Sequence, residues 1–449
     1  MKIAFTTLGC KLNYAETATY QRGFEAAGWE VVRWTEPADI YLVNTCAVTE
    51  TAEKKSRNLI RRAHKTAPEA RIVVTGCYAQ LRREQLLSID GVWRVFGANE
   101  KSQIVPTIVA EGTNPEIASA SLRPLPFSAL RASLGPSLLS GRGWPEISGP
   151  VPPSTSGVFG AYSSGESRTR AFLKVQDGCD NFCAYCTVPF ARGRSRNIPL
   201  CEAVRAAEDI ARQGVKEIVL TGVNTGDFGR TTGESFLDLL KALNGVEGID
   251  RYRISSIEPN LLTEEIVDWI ASGTKFQRHF HIPLQSGSDT LLKRVGRRYD
   301  TALFASRIDY IRQQIETPGT PRVFFGIDVI VGLPGETEEL FEETYTFLKD
   351  RIRPAYIHVF PYSRRPGTRA AEWPGQVPEK VKTERVAKLE ALCEQLHQDF
   401  AASHAGMRET VLWESTVKGG KMSGYTGNYI RVERPYRPES INTLEEIVL

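Results

Sequence analysis

Apolar and polar positions alternate along this chain in two rhythms. Short apolar runs at 2–8, 30–34, 40–43, 71–75 and 92–96 are separated by stretches of helical period at 13–27, 50–65 and 80–88. Short buried-type strands joined by crossover helices predict a parallel, doubly wound sheet. The alternation resumes at Arg170, with strands expected at 171–176, 217–221, 252–255, 279–284, 323–331 and 356–360 and helices at 200–213, 236–243, 264–271, 301–314 and 338–349. Six such units predict a full or partial β/α barrel with its site at the carboxyl ends of the strands. A long helix at 379–403 follows. Residues 406–449 then change to short strands at 410–414, 429–433 and 447–449 with Gly-rich turns, a small all-β appendage. Between the two α/β regions, 119–168 keeps no period: twenty-six of its fifty residues are Ser, Pro or Gly and none is Lys, which reads as a linker or insertion. The expected organisation is therefore 1–111, a linker at 112–169, 170–405 and 406–449.

Composition narrows the class. The chain has 449 residues, 41% hydrophobic and 24% charged, which is ordinary for a globular protein of several domains. A net charge of +3 excludes a uniformly basic coat or an acidic tail but leaves room for local patches. No run approaches the ~18 apolar residues of a membrane span. The opening MKIAFTTLGCKLNYAET has no long apolar run before a cleavage site. No membrane and no export are expected, so the compartment is the reducing cytoplasm. The eight cysteines are too sparse for a disulfide scaffold, and clustered cysteines in that compartment are metal ligands or catalysts. GxxxxGK[ST], GxGxxG after a strand and HExxH are all missing, which argues against an ATPase, a dinucleotide oxidoreductase and a zinc protease.

The strongest motif is the loop 177–186, DGCDNFCAYC, directly after a predicted strand. Cys179, Cys183 and Cys186 supply three thiolates at short range, enough for three corners of one cubane cluster. A structural zinc would need a fourth ligand, the nearest candidate being Cys201. Three ligands leave one iron open, with Tyr185 beside whatever docks there. CxxxCxxC with an aromatic before its last cysteine resembles the radical S-adenosylmethionine (SAM) enzymes. The resemblance implies a (β/α)6 barrel, SAM chelated at the open iron, and its reductive cleavage to a 5′-deoxyadenosyl radical.

A second trio is dispersed. Cys10, Cys46 and Cys77 each end a predicted strand, and adjacent parallel strands deliver their carboxyl ends to one crevice. One buried free cysteine is commonplace; three at strand ends point to a second cluster with an open iron. Two such clusters in this order resemble the methylthiotransferases, which insert sulfur and transfer methyl at an unactivated C–H bond. The resemblance extends through TTLGCKLN (6–13), NTCAVT (44–49), VTGCY (74–78), EIVLTGVNTG (217–226), HIPLQSGS (281–288), DVIVGLPGE (328–336) and HVFPYSRRPGT (358–368). GYTGNYIRV (424–432) is similar to the TRAM RNA-binding barrel that ends these enzymes.

Gly-Cys-Lys-Leu-Asn at 9–13 and Gly-Val-Asn-Thr-Gly at 222–226 resemble the branch acting on N6-threonylcarbamoyladenosine beside the tRNA anticodon. The isopentenyladenosine branch usually reads Gly-Cys-Gln-Met-Asn and Gly-Gln-Asn-Val, and the ribosomal-protein branch differs at its first cysteine. Those two targets are the alternative substrates, and a catalytically silent Fe–S RNA-binding protein is the alternative class. The resemblance implies two [4Fe-4S] clusters and SAM, used as methyl donor and as radical source. It also implies the tRNA anticodon loop, a flavodoxin- or ferredoxin-like electron donor and a sulfur donor as partners. The sequence departs from the family in its long 119–168 stretch and in ending where the terminal barrel would normally add another strand.

Secondary sites are expected as follows. Around SAM, the Thr221, Gly222 and Asn224 backbone meets the amino group, Ser256, Glu258, Gln285 and Ser286 meet ribose or carboxylate, and Ile330 meets adenine, with Tyr185 over the cluster. The run 54–65, KKSRNLIRRAHK, carries six positive charges and no acid. It is either a solvated helix face or a phosphate surface formed by Lys54, Lys55, Arg57, Arg61 and Arg62. Arg192, Arg194 and Arg196, and Lys293, Arg294, Arg297 and Arg298, either hold phosphate or pair with acids. Residues 406–449 carry six basic and six acidic side chains, so RNA contact there falls to Tyr425, Asn428, Tyr429 and Arg431 through stacking and hydrogen bonds. Cys201 and Cys393 read as core or helix-face thiols, and His279 and His281 as packing on one side of a strand.

Overall fold

Five parallel strands make the first sheet, in the spatial order Glu30–Val32, Lys2–Thr7, Ile40–Thr45, Arg71–Gly76, Val92–Phe96. The computed structural model describes residues 1–113, 160–163, 169–230 and 232–449. Apolar side chains cover both faces of the sheet. Ile3, Leu42 and Val73 pack with Phe24 and Ile108 on one side, and Ala4, Val43 and Val74 pack with Ile60 on the other. That is why the strands read as continuous apolar runs. The helices Lys11–Ala26 and Glu50–Thr66 stand where periodicity put them. The helix expected at 80–88 breaks at Arg82 into Cys77–Leu81 and Arg83–Leu87, so Cys77 opens a helix directly at the strand end.

The second unit has the six expected strands: Arg170–Lys174, Glu217–Thr221, Arg251–Ile254, His279–Gln285, Phe324–Val331 and Tyr356–Pro361. The first three and the last three form separate parallel sheets. Among the described residues they meet only through isolated bridges, Tyr252 to Phe276 and Ser256 to His281. The bridges link the third strand to the fourth, and among the described residues no pairing joins the first strand to the last, so the barrel is partial and open between those two. Ala161–Ser163, inside the stretch read as linker, is a strand antiparallel to Arg170–Lys174. Apart from 160–163, the Ser/Pro/Gly-rich reading of 119–168 falls outside the described residues.

Alternation along these strands separates two environments. Ala171, Leu173, Ile218, Leu220, Tyr252, Phe280, Ile282, Ile327 and Val329 join the large apolar core under the outer helices. The intervening positions, Arg170, Lys174, Glu217, Arg253, His281, Asp328 and His358, face the interior, which is therefore a polar chamber. The helix Glu379–Ala402 covers the last strand, where the Ile357 N–H donates to Cys393 Sγ at 3.1 Å, a satisfied core thiol. Cys201 is exposed on the helix Leu200–Arg212.

The chain closes in an antiparallel sheet ordered Arg431–Pro435, Lys421–Thr426, Arg408–Lys418, Leu444–Val448 around Val411, Trp413 and Met422. Lys421–Thr426 was hidden among its glycines. A Cβ at Gly424 would lie 2.4 Å from the Val411 side chain and 2.8 Å from the Leu412 carbonyl, so glycine there is a packing requirement rather than a turn. The strand expected at 429–433 begins at Arg431, because Tyr429 takes a left-handed backbone (φ 62°). No helix among the described residues is long and apolar enough to cross a membrane.

Candidate active site

The strand order of the first sheet reverses between Lys2–Thr7 and Ile40–Thr45, where ligands bind in open α/β sheets. Cys10 and Cys46 follow those two strands, and Cys77 follows the next. Register brings them together: Thr7 pairs with Asn44, and Thr45 pairs with Gly76. Asn13 ties the loop ends by donating to the carbonyls of Leu8 (2.8 Å) and Thr45 (3.1 Å). A Cβ on Gly9, whose φ is +110°, would sit 3.2 Å from Cys46 Sγ, so the backbone before Cys10 lies against the second thiol. All eight cysteines are free. Burial pushes the Cys46 thiol up to about 12, with Cys77 and Cys10 adding repulsion, and burial raises Cys77 as well.

The loop after Arg170–Lys174 gathers the other trio. Gly178 is required there: a Cβ would lie 2.0 Å from the Arg194 carbonyl oxygen. Each sulfur accepts a hydrogen bond. Asn181 N–H reaches Cys179 at 3.5 Å, Val188 N–H reaches Cys186 at 3.4 Å and Arg297 Nη1 reaches Cys183 at 3.3 Å. Burial raises Cys179 and pushes Cys186 up to about 12, with Cys183 and, further down, Cys77 of the first trio contributing repulsion. The helix Cys77–Leu81 packs against Val188–Arg192, which follows Cys186, so the two trios share one neighbourhood. Among the described residues neither trio has a fourth protein ligand, which suits a cubane cluster of iron and sulfur and does not suit tetrahedral zinc. Thiols this buried ionise when a metal takes their protons' place.

One buried ion cluster fixes the two units against each other. Oε1 of Glu16 lies 2.7 Å from Lys101 Nζ, 2.7 Å from Lys174 Nζ and 3.2 Å from Arg192 Nη1. Asp177 completes it, 2.6 Å from Lys174 and 2.9 Å from Arg192. Burial alone would raise the Glu16 carboxyl, but Lys101, Lys174 and Arg192 outweigh it and hold the group far below its ordinary value. Sequence reasoning missed Glu16. Its signal was a carboxylate between Leu12 and Tyr20 at helical spacing, on an otherwise apolar face.

The residues expected around SAM divide. Tyr185 and Ile330 pack with Val295, Leu333 and Tyr362 in one apolar cluster at the strand ends. Glu258 accepts from Asn181 Nδ2 at 2.7 Å and pairs with Arg297 at 2.7 Å, beside the cysteine loop. Ser256 is half-buried at the seam between the two barrel sheets. Gln285 ends its strand in a left-handed conformation (φ 72°), a strained position of the kind that clusters at functional sites. Four others make hydrogen bonds within the protein or have neighbours that do. Thr221 Oγ1 donates to the Leu173 carbonyl at 3.1 Å. Beside Gly222, Gln176 Oε1 accepts from the N–H groups of Val223 and Asn224 at 2.8 and 3.0 Å. Asn224 Oδ1 accepts from Glu258 N–H at 3.2 Å. Ser286 turns to Thr344 on an outer helix, 3.2 Å away. Arg297 takes the second of its two expected roles, pairing with an acid: its side chain is buried on Glu258 and also reaches Cys183.

The expected RNA contacts also divide. Lys54, Lys55, Arg61 and Arg62 are exposed along Glu50–Thr66. Arg57 donates to Tyr78 Oη at 2.8 Å and is half-buried. Arg194 is exposed, over the Phe182 ring at 4.9 Å. Arg192 is 2% exposed within the ion cluster and Arg196 is buried against the Arg192 carbonyl, so neither presents charge to phosphate. Asn428 is buried and donates to the Arg322 carbonyl at 3.0 Å. Tyr429 lies under Arg253 at 3.8 Å and edge-on to His279 at 4.5 Å, closing the barrel floor. Its phenol oxygen accepts from Arg170 at 3.1 Å. Tyr425 is half-buried beside it, and Arg431 is exposed, 2.8 Å from Glu433.

Inside the chamber, His281 Nε2 lies 2.7 Å from Asp328 Oδ1 and its ring centroid is 5.0 Å from that of His358. Donor atoms of these three half-buried residues lie within 4.8 Å of one another. Burial lowers His358 to about 4, so its ring is neutral. Lys11, next to Cys10, is half-buried at the start of the helix Lys11–Ala26, and its charge acts on His279, His358 and Asp328.

Residues 2–97 match the model "Uncharacterized protein family UPF0004", and 173–348 match the "Radical SAM superfamily". Over 96% of its length the chain is 38% identical to the threonylcarbamoyladenosine tRNA methylthiotransferase MtaB of Bacillus subtilis, 89% of which is covered. The protein of that name from Aquifex aeolicus is 34% identical, with 97% of each chain covered. The tRNA-2-methylthio-N(6)-dimethylallyladenosine synthase of Alkaliphilus oremlandii is 32% identical over 95% of this chain and 85% of its own. In fold, the chain is similar to the radical S-adenosylmethionine methyltransferase TsrM of Kitasatospora setae, with a TM-score of 0.56 and 15% identity over 94% of this chain and 77% of that one.

Proposed function

Because this chain belongs to the radical SAM methylthiotransferase family, we propose that it adds a methylthio group at C2 of N6-threonylcarbamoyladenosine, position 37, in tRNA. One observation carries the reading furthest: the helix that Cys77 opens packs against Val188–Arg192, the helix that follows Cys186, so the two three-thiol sets, one on each α/β unit, lie in one neighbourhood. Sulfur delivery to an activated carbon needs that convergence, since both reacting groups must meet one base.

Cys10, Cys46 and Cys77 would hold one [4Fe-4S] cluster, and Cys179, Cys183 and Cys186 the other. When bound, the clusters and SAM supply the radical that opens an aromatic C–H bond, the sulfur and the methyl group. The chain's own residues do the rest. Arg297 holds Cys183 by hydrogen bond and is itself held by Glu258. Tyr185 and Ile330 offer an apolar wall for adenine, with Ser256, Glu258 and Gln285 at the ribose and carboxylate side. The Glu16 cluster keeps the two cysteine sets in register. Lys54, Lys55, Arg61 and Arg62 form the phosphate-facing surface for the anticodon arm. A flavodoxin- or ferredoxin-like electron donor and a sulfur donor complete the reaction in the cytoplasm.

Mass spectrometry of tRNA nucleosides from a strain lacking this gene tests the reading. Loss of the 2-methylthio derivative of threonylcarbamoyladenosine, restored by the intact gene, is the expected result. Loss of the isopentenyl derivative instead, or no change in either, overturns it.

A further inference from the structure

The function above leaves one question open, which is how a chamber inside the barrel would tell a threonylcarbamoyl group from an uncharged substituent on the same nitrogen. The chemical difference is a carboxylate. A carboxylate moved out of water needs a cation that is not already committed to a partner.

Most cations of the chamber are committed. Lys174 is bound to Glu16 and Asp177. Arg253 pairs with Glu217 at 2.7 Å and donates to the carbonyls of Gly427 and Thr426 at 2.6 and 2.8 Å. Arg170 pairs with Glu414 at 2.7 Å. Lys11 is different: among the described residues it forms no ion pair, and it is half-buried rather than free in solvent. Its neighbours are Arg170, Arg253, Asp328 and Cys10. Asp328 is an acid that acts on it, and its carboxylate is bonded to His281.

We propose that Lys11, with His281 and His358 beside it, binds the carboxylate of the threonylcarbamoyl side chain and so selects that nucleoside; this rests on the function proposed above. Lys11 follows Cys10 directly, so an anchor on its ammonium sets the base beside the first cysteine trio. His358, neutral in its buried position, offers an N–H to the carboxylate or to the threonine hydroxyl without adding charge. The grouping of His281, Asp328 and His358 also has the donor set of a divalent-cation site. The positive charge of Lys11, which acts on both Asp328 and His358, opposes a dication there and favours an anion.

The test compares two tRNAs identical except that one carries the threonylcarbamoyl group as its methyl ester, which removes the charge and keeps the shape. In the full-length reconstituted protein, kcat/KM for the acid should exceed that for the ester by about 10- to 100-fold, the range of one charge-assisted contact. Lys11→Gln should bring the ratio close to one while retaining its iron, and Lys11→Arg should restore most of it. The same ratios should appear in tRNA affinity measured on cluster-free protein. If Lys11→Gln discriminates acid from ester as the parent does, the assignment is wrong. A stoichiometric divalent metal that survives dialysis and is lost from His358→Ala would overturn it too. If the parent methylthiolates neither tRNA, the proposed function itself fails, a result separable from failure of the Lys11 assignment alone.

Discussion

Lys174 on the first barrel strand and Glu16 on the first helix of the N-terminal sheet meet at 2.7 Å, with neither side chain exposed to solvent. Lys101 and Arg192 share the same carboxylate oxygen. Glu16→Gln would leave three buried cations leaning on Asp177 alone. We expect a loss of about 3–5 kcal/mol in denaturant unfolding of the cluster-free protein at neutral pH. The pH dependence has a definite sign. The Glu16 carboxyl is held below its ordinary 4.5, so its contribution is complete above that value and is lost as the pH falls below it. The variant should therefore be less stable at pH 7 and show a shallower decline between pH 5 and 3. Parallel pH profiles for the two proteins would count against this role.

Anaerobically reconstituted protein should hold about eight irons, four for each cubane cluster. Replacing Cys179, Cys183 and Cys186 together with Ala should halve the iron and abolish 5′-deoxyadenosine formation. SAM cleavage persisting in that triple variant would remove the loop from the chemistry.

Cys46→Ala separates the two trios. Reductive SAM cleavage should continue, because the barrel trio is intact, while methylthio transfer should fall below detection. Full transfer by the purified variant would mean that Cys10, Cys46 and Cys77 are packing thiols. Product analysis by mass spectrometry after a fixed number of turnovers decides the matter.

How much of this was legible without coordinates depends on the range of the interactions. The six barrel strands were readable because their outward positions are apolar and their neighbours in the chain are not. The convergence of Cys10, Cys46 and Cys77 was readable because parallel strands must end together. Arg192 was not readable: nothing in Arg-Gly-Arg-Ser-Arg distinguishes a buried partner of Glu16, 176 residues away, from a phosphate contact. Tyr429 misled for a similar reason, since an aromatic in a Gly-rich turn looks solvent-facing until the turn is seen inside the floor of the barrel. Thr221, Asn224 and Ser286 are short polar residues at strand ends, where neighbouring backbone competes with ligand for the same groups.

Salt dependence of tRNA binding separates the two surfaces. Neutralising Lys54, Lys55, Arg61 and Arg62 together should weaken binding and flatten the slope of log affinity against log salt by up to about one unit per charge removed. Tyr429→Ala should act differently, because the ring is held by Arg253 and His279 rather than offered to RNA. It should destabilise the fold by about 2–4 kcal/mol and leave the salt slope unchanged. An unchanged slope after the fourfold neutralisation would make the helix a solvated face and move the search to Arg194 and Arg298.

The shared oxygen of Glu16 also limits how this protein can be recombined. A carboxylate on one unit whose counter-charges come from both units makes neither unit a portable module. A chimera that exchanged the N-terminal sheet for one lacking an acid at position 16 would leave buried Lys174 and Arg192 with Asp177 as their one shared counter-charge. The barrel alone, cut free at Arg170, would keep Asp177 but expose that charged face to water. Such chimeras should be recovered as folded protein only when a compensating change travels with the graft, so the two units are expected to be inherited as a single piece.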